Sequence, residues 1–368
     1  MHILFAGGGT AGHINPALAI AGYIKERHPD ARISYIGTAK KLEAQLVPQK
    51  GYDFYTIDVA GFQRKLSFEN IGKNISAVGK AIRSSHDVKK LLRELKPDIV
   101  VGTGGYVSGP VVREAQKLGI KTAIHEQNAF PGVTTKMLAP NADFVMLAMG
   151  EAQKYLKLKK TPEITGNPVR SELLKIDRAQ ARAILGLDER PLLLSFGGSL
   201  GAKPLNDAVE TLIRTNTGSY NHIHATGKAG YSQMLENLNG CNIPKEVQIR
   251  EYIDDMDVCM AAADLVICRA GAITLSELQV CGKPSVLIPS PYVAENHQYH
   301  NAMTLKRAGC AEVIEEKELT GEGLCDTVGH LIENTPKLEK MAQNAREHAI
   351  SDANERIYQI LMRLYTTV

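Results

Sequence analysis

The chain has 368 residues, 44% hydrophobic and 23% charged, which fits a soluble globular protein and exceeds one typical core, so two domains are expected. No run of about 18 apolar residues occurs, which excludes a membrane-spanning helix. The net charge of +3 hides an asymmetry: residues 1–165 carry 23 Lys and Arg against 14 Asp and Glu, whereas the remainder is acidic, so the first half should face an anionic partner.

The N-terminus enters a strand without the basic region and cleavable apolar stretch of a secretion signal, and a cytoplasmic location is expected. Short β-branched runs then alternate with helical stretches. In the first half the strands are HILFA (2–6), RISYIG (32–37), DIVVG (98–102), KTAIHE (121–126) and DFVML (143–147). In the second they are PLLLSFG (191–197), HIHATG (222–227), VQIREYI (247–253), DLVIC (264–268) and SVLIP (285–289). Such alternation implies parallel sheets covered on both faces, with ligands bound off the carboxyl ends of strands. ILFAGGGTAGH and LLLSFGGSLGA each run from an apolar strand into a glycine loop and a helix, which suggests two Rossmann-like domains. The linker is expected near 157–172, where two prolines and a Gly-Asn turn interrupt the pattern. The terminal helix, 354–365, presents Ile357, Ile360, Leu361 and Leu364 and needs a partner surface, expected on the first domain. The six cysteines lack CxxC spacing and read as reduced thiols rather than a metal or disulfide set.

Gly7-x-Gly9-x-x-Gly12 has the spacing of a dinucleotide-binding fingerprint. A nicotinamide site also needs an acid near the end of the second strand, but that strand ends in Gly37-Thr38 with Lys40 and Lys41 following, which argues against an oxidoreductase. What remains is a loop whose N–H groups can approach an anion at a helix N-terminus. His13, at the loop–helix junction, reads either as a proton acceptor near neutral pH or as a capping or packing histidine. Gly102, Gly104, Gly105 and Gly109 in GTGGYVSGP, and the SFGGSLGA loop with Ser199, repeat the pattern. Three such loops point to a large phosphorylated ligand.

Taken in order, GGTAGH, GTGGYVSGP, HEQNAFPG, GNPVRSE, SFGGSLGA, EYIDDM, CRAGAITLSE and NHQYHNA resemble the MurG family of glycosyltransferases, from about residue 2 to residue 310. The resemblance implies an α/β fold of GT-B architecture, two Rossmann-like doubly wound parallel-sheet domains facing across a cleft. Residues 1–165 would form the acceptor- and membrane-facing domain, with 352–368 packing back on it, and 166–350 the UDP-GlcNAc-binding domain. The implied activity is inverting transfer of N-acetylglucosamine from UDP-GlcNAc to a lipid-linked muramoyl-pentapeptide. Carried over by position, Thr10, Ala11 and Gly12 face the donor's sugar and diphosphate; Asn128 and Arg170 contact the donor, Ser199 its phosphates, and the Ile253 backbone the uracil. Ala272, Ile273, Thr274, Leu275, Ser276 and Glu277 bind the nucleotide, with Glu277 on the ribose hydroxyls and Gln298 near the sugar. Gly104, Gly105 and Tyr106 fall on the acceptor side. On residue chemistry alone Glu277 also reads as a first-turn helix acid, Gln298 as solvated and Arg170 as a salt-bridge partner. Ala11 departs from the family's usual GGTGGH, and its methyl is tolerable where φ is negative.

His13 is the first candidate for general base and Glu126 the second, with Glu126 alternatively orienting the acceptor or His13. Asp255-Met256-Asp257 matches a metal-binding DxD, but the segment opens a helix, where residues two apart do not converge; Asp254, Asp255 and Asp257 are expected as N-cap and first-turn acids. No cofactor and no obligatory metal are expected. Ile71, Ile75, Val78 and Ile82 recur at helical spacing with Lys73, Lys80 and Arg83, which suits either a basic helix on anionic lipid or a core-facing stripe. The expected setting is peripheral, on the cytoplasmic face of the cell membrane, with no nucleic-acid partner. A UDP-GlcNAc 2-epimerase of the same layout is the nearest rival.

Overall fold

Strands alternate with helices through both halves of the chain, and every described strand pair is parallel. The computed structural model describes residues 1–59, 85–198 and 200–367. It divides into two units: Met1–Pro168 with Asp352–Val368, and Val169–Ser351. Ile71, Lys73, Ile75, Val78, Lys80, Ile82 and Arg83, and likewise Ser199, lie outside the described residues.

The first unit runs β1 (His2–Ala6), α1 (Ala11–Arg27), β2 (Arg32–Gly37), α2 (Glu43–Gln49), β3 (Asp53–Thr56), α3 (85–95), β4 (Ile99–Gly102), α4 (Gly105–Lys117), β5 (Lys121–Glu126), α5 (Val133–Leu138), β6 (Phe144–Leu147) and β7 (Glu163–Ile164). Its sheet order is β3-β2-β1-β4-β5-β6-β7. A strand covered on both faces must be apolar on both, and Ile3, Leu4, Phe5 and Ala6 are all fully buried. On one face lie Ala17, Ile20, Ala21 and Ile24 of α1. Helix α14 (Ala353–Thr366) completes that core with Ile357, Ile360, Leu361 and Leu364, the residues whose spacing marked its apolar stripe. At its rim Tyr23 donates to Glu355, the Arg27 guanidinium stacks on the Tyr23 ring, and His28 Nε2 meets the Tyr358 hydroxyl at 2.8 Å.

The second unit runs α6 (Arg178–Ile184), β8 (Leu192–Phe196), α7 (Lys203–Thr215), β9 (Asn221–Ala225), α8 (Tyr231–Asn237), β10 (Val247–Arg250), α9 (Met256–Ala262), β11 (Leu265–Cys268), α10 (Ala272–Val280), β12 (Ser285–Leu287), α11 (His297–Arg307), β13 (Ala311–Val313), α12 (Gly321–Ile332) and α13 (Thr335–Glu347). Its sheet order is β10-β9-β8-β11-β12-β13. All six cysteines are free thiols; burial pushes Cys259 up to about 12 and Cys281 and Cys310 up to about 11, so these three stay protonated and inert.

Two histidines are buried in this sheet. Ser195 Oγ lies 2.8 Å from both His222 Nε2 and His224 Nδ1, while His222 Nδ1 and His224 Nε2 have no partner. Burial depresses both, His224 to about 4, so the folded state holds them neutral. As pH falls below about 6.5 the unfolded chain binds protons that the folded chain refuses, and stability drops until the folded group titrates. His224 alone should contribute a loss of about 3 kcal/mol between pH 6.5 and 4. Urea midpoints of the wild type should therefore fall across this window, and those of His224→Gln should fall less steeply.

Candidate active site

In an open parallel sheet, ligands bind beyond the carboxyl ends of the strands, where the strand order reverses. In the first unit that point lies between β1 and β4, and the loops following them are the glycine-rich segments Gly7–Thr10 and Thr103–Gly104. They pack backbone on backbone. A Cβ on Gly105, which has φ +77°, would lie 2.2 Å from the Gly8 carbonyl oxygen, and one on Gly9 would lie 3.0 Å from the Tyr106 ring. Gly104, at φ +99°, sits against the His13 imidazole: an added Cβ would come within 2.7 Å of its Cδ2. Thr103 Oγ1 donates to the His13 carbonyl at 2.8 Å. The structure thus brings His13, Thr10, Gly104, Gly105 and Tyr106 together.

His13 lies in the first turn of α1, whose N-cap, Thr10, makes no side-chain cap bond and whose first turn holds no acid. Ala11 and Gly12 are exposed there, and Ala11 is absent from the residues with positive φ, so its methyl is accommodated. His13 Nδ1 lies 3.2 Å from Thr10 Oγ1 and 3.3 Å from the Gly8 carbonyl oxygen. A carbonyl only accepts, so a hydrogen bond to it requires the proton on Nδ1 and leaves the lone pair on Nε2, the form a general base requires.

Glu126 ties a loop together. At the end of β5 its Oε1 accepts from Asn128 N and Nδ2, both at 3.0 Å, and its Oε2 accepts from Gly132 N at 3.0 Å and Thr135 Oγ1 at 2.5 Å. These donors occupy both oxygens and fold the 127–132 loop onto the start of α5. Glu126 thereby shapes the loop and holds Asn128.

In the second unit the strand order reverses between β8 and β11. The β11 loop leads into α10, whose N-cap, Gly271, provides no side-chain cap. Three side chains missed in the sequence set this loop. Arg269 donates to the Ile288 carbonyl at 3.1 Å and forms an ion pair with Glu316, and Asn301 Nδ2 donates to the Ala270 carbonyl at 3.3 Å. Two of the three stood in the quoted motifs, Arg269 in CRAG and Asn301 in NHQYHNA, whereas Glu316 stood in none. Glu277 is buried one turn further on, where Arg170 Nε donates to its Oε1 at 3.1 Å. Burial pushes the Glu277 carboxyl up and the guanidinium opposes that shift. Ala272 and Leu275 are buried, Ile273, Thr274 and Ser276 are partly exposed, and the Ser276 hydroxyl donates back to the Ala272 carbonyl. Ile253 is buried beyond β10. Gln298 Oε1 accepts from Ser290 N at 2.9 Å.

The DxD segment differs in detail from expectation. Asp255 occupies the N-cap position of α9, but its carboxylate accepts from Arg250 Nη1 at 2.8 Å instead of capping; Asp257 lies in the first turn. A carboxylate that the sequence reading did not single out supports the first glycine loop. Glu43 of α2 folds back beneath it, and its Oε2 accepts from Gly9 N at 3.1 Å.

With this geometry in hand, comparison with known proteins is direct. The glycosyltransferase family 28 N-terminal domain model matches residues 3–147 and the family 28 C-terminal domain model matches residues 192–357. Fold and models together define a glycosyltransferase of the GT-B class. The UDP-N-acetylglucosamine–N-acetylmuramyl-(pentapeptide) pyrophosphoryl-undecaprenol N-acetylglucosamine transferase of Acetivibrio thermocellus is 47% identical, over 98% of this chain and 97% of its own. The transferase of the same name from Ruminiclostridium cellulolyticum is 45% identical, over 99% of this chain and 100% of its own. The crystal structure of Acinetobacter baumannii MurG matches with a TM-score of 0.81 at 29% identity, covering 98% of this chain and 99% of that one. The chain belongs to the MurG family. A UDP-GlcNAc 2-epimerase from Neisseria meningitidis, at 15% identity and a TM-score of 0.67 over 99% of this chain and 100% of its own, shares the fold alone.

The glycine contacts give a graded prediction. Gly119 has φ +73° with nothing within 4 Å of an added Cβ, so Gly119→Ala should cost only about 1–2 kcal/mol of backbone strain. Gly105→Ala adds a collision with Gly8, so its thermal midpoint should fall well below that of Gly119→Ala, with transferase activity lost in the folded fraction.

Proposed function

We propose that this enzyme transfers N-acetylglucosamine from UDP-GlcNAc to the C4 hydroxyl of undecaprenyl-pyrophosphoryl-N-acetylmuramoyl-pentapeptide, the step that completes the lipid-linked precursor of peptidoglycan. Cell shape and division would depend on that supply. The full-length identity to transferases of this name supports the donor and the acceptor. The observation that carries the chemistry is His13 with Nδ1 on the Gly8 carbonyl, beside the switch point of the first sheet.

The reaction is a single displacement with inversion. A sugar hydroxyl is a poor nucleophile until its proton has somewhere to go. His13 Nε2 accepts the proton of the C4 hydroxyl as that oxygen bonds to the anomeric carbon, and the bond from the anomeric carbon to the UDP oxygen breaks. Negative charge then grows on the leaving diphosphate. The uncapped start of α10 supplies N–H groups and the positive end of a helix dipole to that charge. Glu277 would hold the ribose hydroxyls, and Arg170, already paired with it, would fix the carboxylate and contact the diphosphate. Ser199 would add a phosphate contact, Ile253 the uracil contact, and Gln298, Thr10, Ala11, Gly12 and Asn128 the sugar contacts. Gly104, Gly105 and Tyr106 would border the acceptor. Because Asp255 is engaged by Arg250, the DxD segment is not read as a metal chelate.

Among the described residues no helix is long and apolar enough to cross a membrane. We place the enzyme on the cytoplasmic face of the bilayer as a peripheral protein, with the 71–83 stretch as the contact. The charge reversals Lys73→Glu, Lys80→Glu and Arg83→Glu together should weaken binding to anionic liposomes, each cation near the surface being worth roughly 1 kcal/mol. Unchanged binding would remove this stretch from the interface.

The decisive assay incubates the protein with radiolabelled UDP-GlcNAc and the lipid-linked acceptor, with and without EDTA. Label should move to the lipid fraction under both conditions, whereas release of an epimerised sugar nucleotide would support the rival reading. His13→Ala should lower kcat about 10²–10⁴-fold while retaining UDP binding; near-full turnover would remove His13 from the base role.

A further inference from the structure

Beneath the first glycine loop lies a carboxylate that the reaction above does not use. Glu43, the first residue of α2, is fully buried. Its Oε2 accepts from Gly9 N at 3.1 Å, and its Oε1 accepts from Thr38 N at 3.1 Å and Thr38 Oγ1 at 2.7 Å. A carboxylate at this depth persists only where donors replace its hydration, and here the loop itself supplies them. Two glycines make the room: an added Cβ on Gly8 would lie 2.6 Å from Oε1, and one on Gly37 would lie 2.6 Å from Cγ. Tyr35 donates its hydroxyl to the Gly7 carbonyl at 3.1 Å, and burial, reinforced by the negative charge of Glu43, keeps that phenol protonated.

The atoms that Glu43 and His13 touch belong to one peptide unit. Gly9 N–H and Gly8 C=O share a rigid plane, and in a trans peptide they point to opposite sides. Glu43 fixes the N–H side; His13 Nδ1 lies 3.3 Å from the oxygen on the other. The plane cannot rotate without breaking the bond to Glu43, and a hydrogen bond to the N–H polarises the carbonyl into a better acceptor.

We propose that Glu43 is a positioning residue that acts on His13 through the Gly8–Gly9 peptide, holding the ring in the Nδ1–H tautomer so that Nε2 keeps the lone pair that receives the acceptor's proton. The proposal rests on the reading of His13 as the base. It also gives the Gly9 N–H an owner: this protein's own side chain, rather than a ligand's anion, occupies that donor.

Glu43→Gln tests it, because an amide cannot accept from the Gly9 and Thr38 donors on both sides at once. In ¹⁵N spectra, with the His13 resonances assigned by their loss in His13→Ala, the wild type should show a protonated Nδ1 and an unprotonated Nε2. Glu43→Gln should shift the ring toward the Nε2–H form. Its kcat should fall roughly 10–100-fold, as for loss of an outer-shell partner, with KM for UDP-GlcNAc within about twofold of wild type. The double variant Glu43→Gln, His13→Ala should be no slower than His13→Ala alone. An unchanged tautomer with near-normal kcat, or losses that multiply in the double variant, would overturn the proposal. If Glu43→Gln does not fold, Glu43→Asp, which keeps the charge but shortens its reach, takes its place in the same measurements. Near-full turnover in His13→Ala would instead sink the base reading and leave the tautomer measurement to decide whether Glu43 acts on the ring.

Discussion

The closeness of two backbones sets the geometry of the candidate site in the first unit. The Gly8 carbonyl and Gly105 meet at a distance that no side chain permits, and this contact fixes where α1 and α4 begin. The second unit uses the same device: a Cβ on Gly201 would lie 2.1 Å from the Thr226 carbonyl oxygen. In each unit a parallel sheet delivers adjacent strands to one edge, and glycines let the loops at that edge touch main chain to main chain. In the proposed reading, chemistry then resides in a few side chains at these edges, His13 in one unit and the Arg170–Glu277 pair in the other.

The glycine loop before α1 and the loop before α10 are both strand–loop–helix turns yet differ in electrostatics. In the first unit a donor of the glycine loop is occupied by Glu43, so the loop is an internally neutralised support for a histidine. In the second, the start of α10 is preceded by Gly271, with no side chain turned back to cap it. One strand–loop–helix pattern therefore serves to hold a base in place and, in the proposed reading, to receive a leaving diphosphate.

Much of the architecture could be read from the chain. Central strands such as Leu192–Phe196 are buried on both faces, so they appear as unbroken apolar runs. The strands that escaped notice, Asp53–Thr56, Glu163–Ile164 and Ala311–Val313, have two to four residues and are only partly buried, so no periodicity can develop. Glycine spacing located the His13 loop, because backbone approach requires a residue type that spacing reveals, whereas the acid in CRAGAITLSE came with the family resemblance. The roles of Glu43 and Glu126 were hidden for the opposite reason. A carboxylate's function depends on which N–H groups surround it, and those come from Gly9, Thr38, Gly132 and Thr135, which local sequence does not pair with it. Glu126 stood in a quoted motif, but the loop it ties together did not show there; Glu43 lay in an unremarked helix start.

Helix α14 closes the hydrophobic core of a unit whose other elements end near Pro168. During synthesis, the α1 surface formed by Ala17, Ile20, Ala21 and Ile24 must wait uncovered while nearly two hundred intervening residues are translated. The first unit to leave the ribosome can therefore complete its core only after the second has been synthesised.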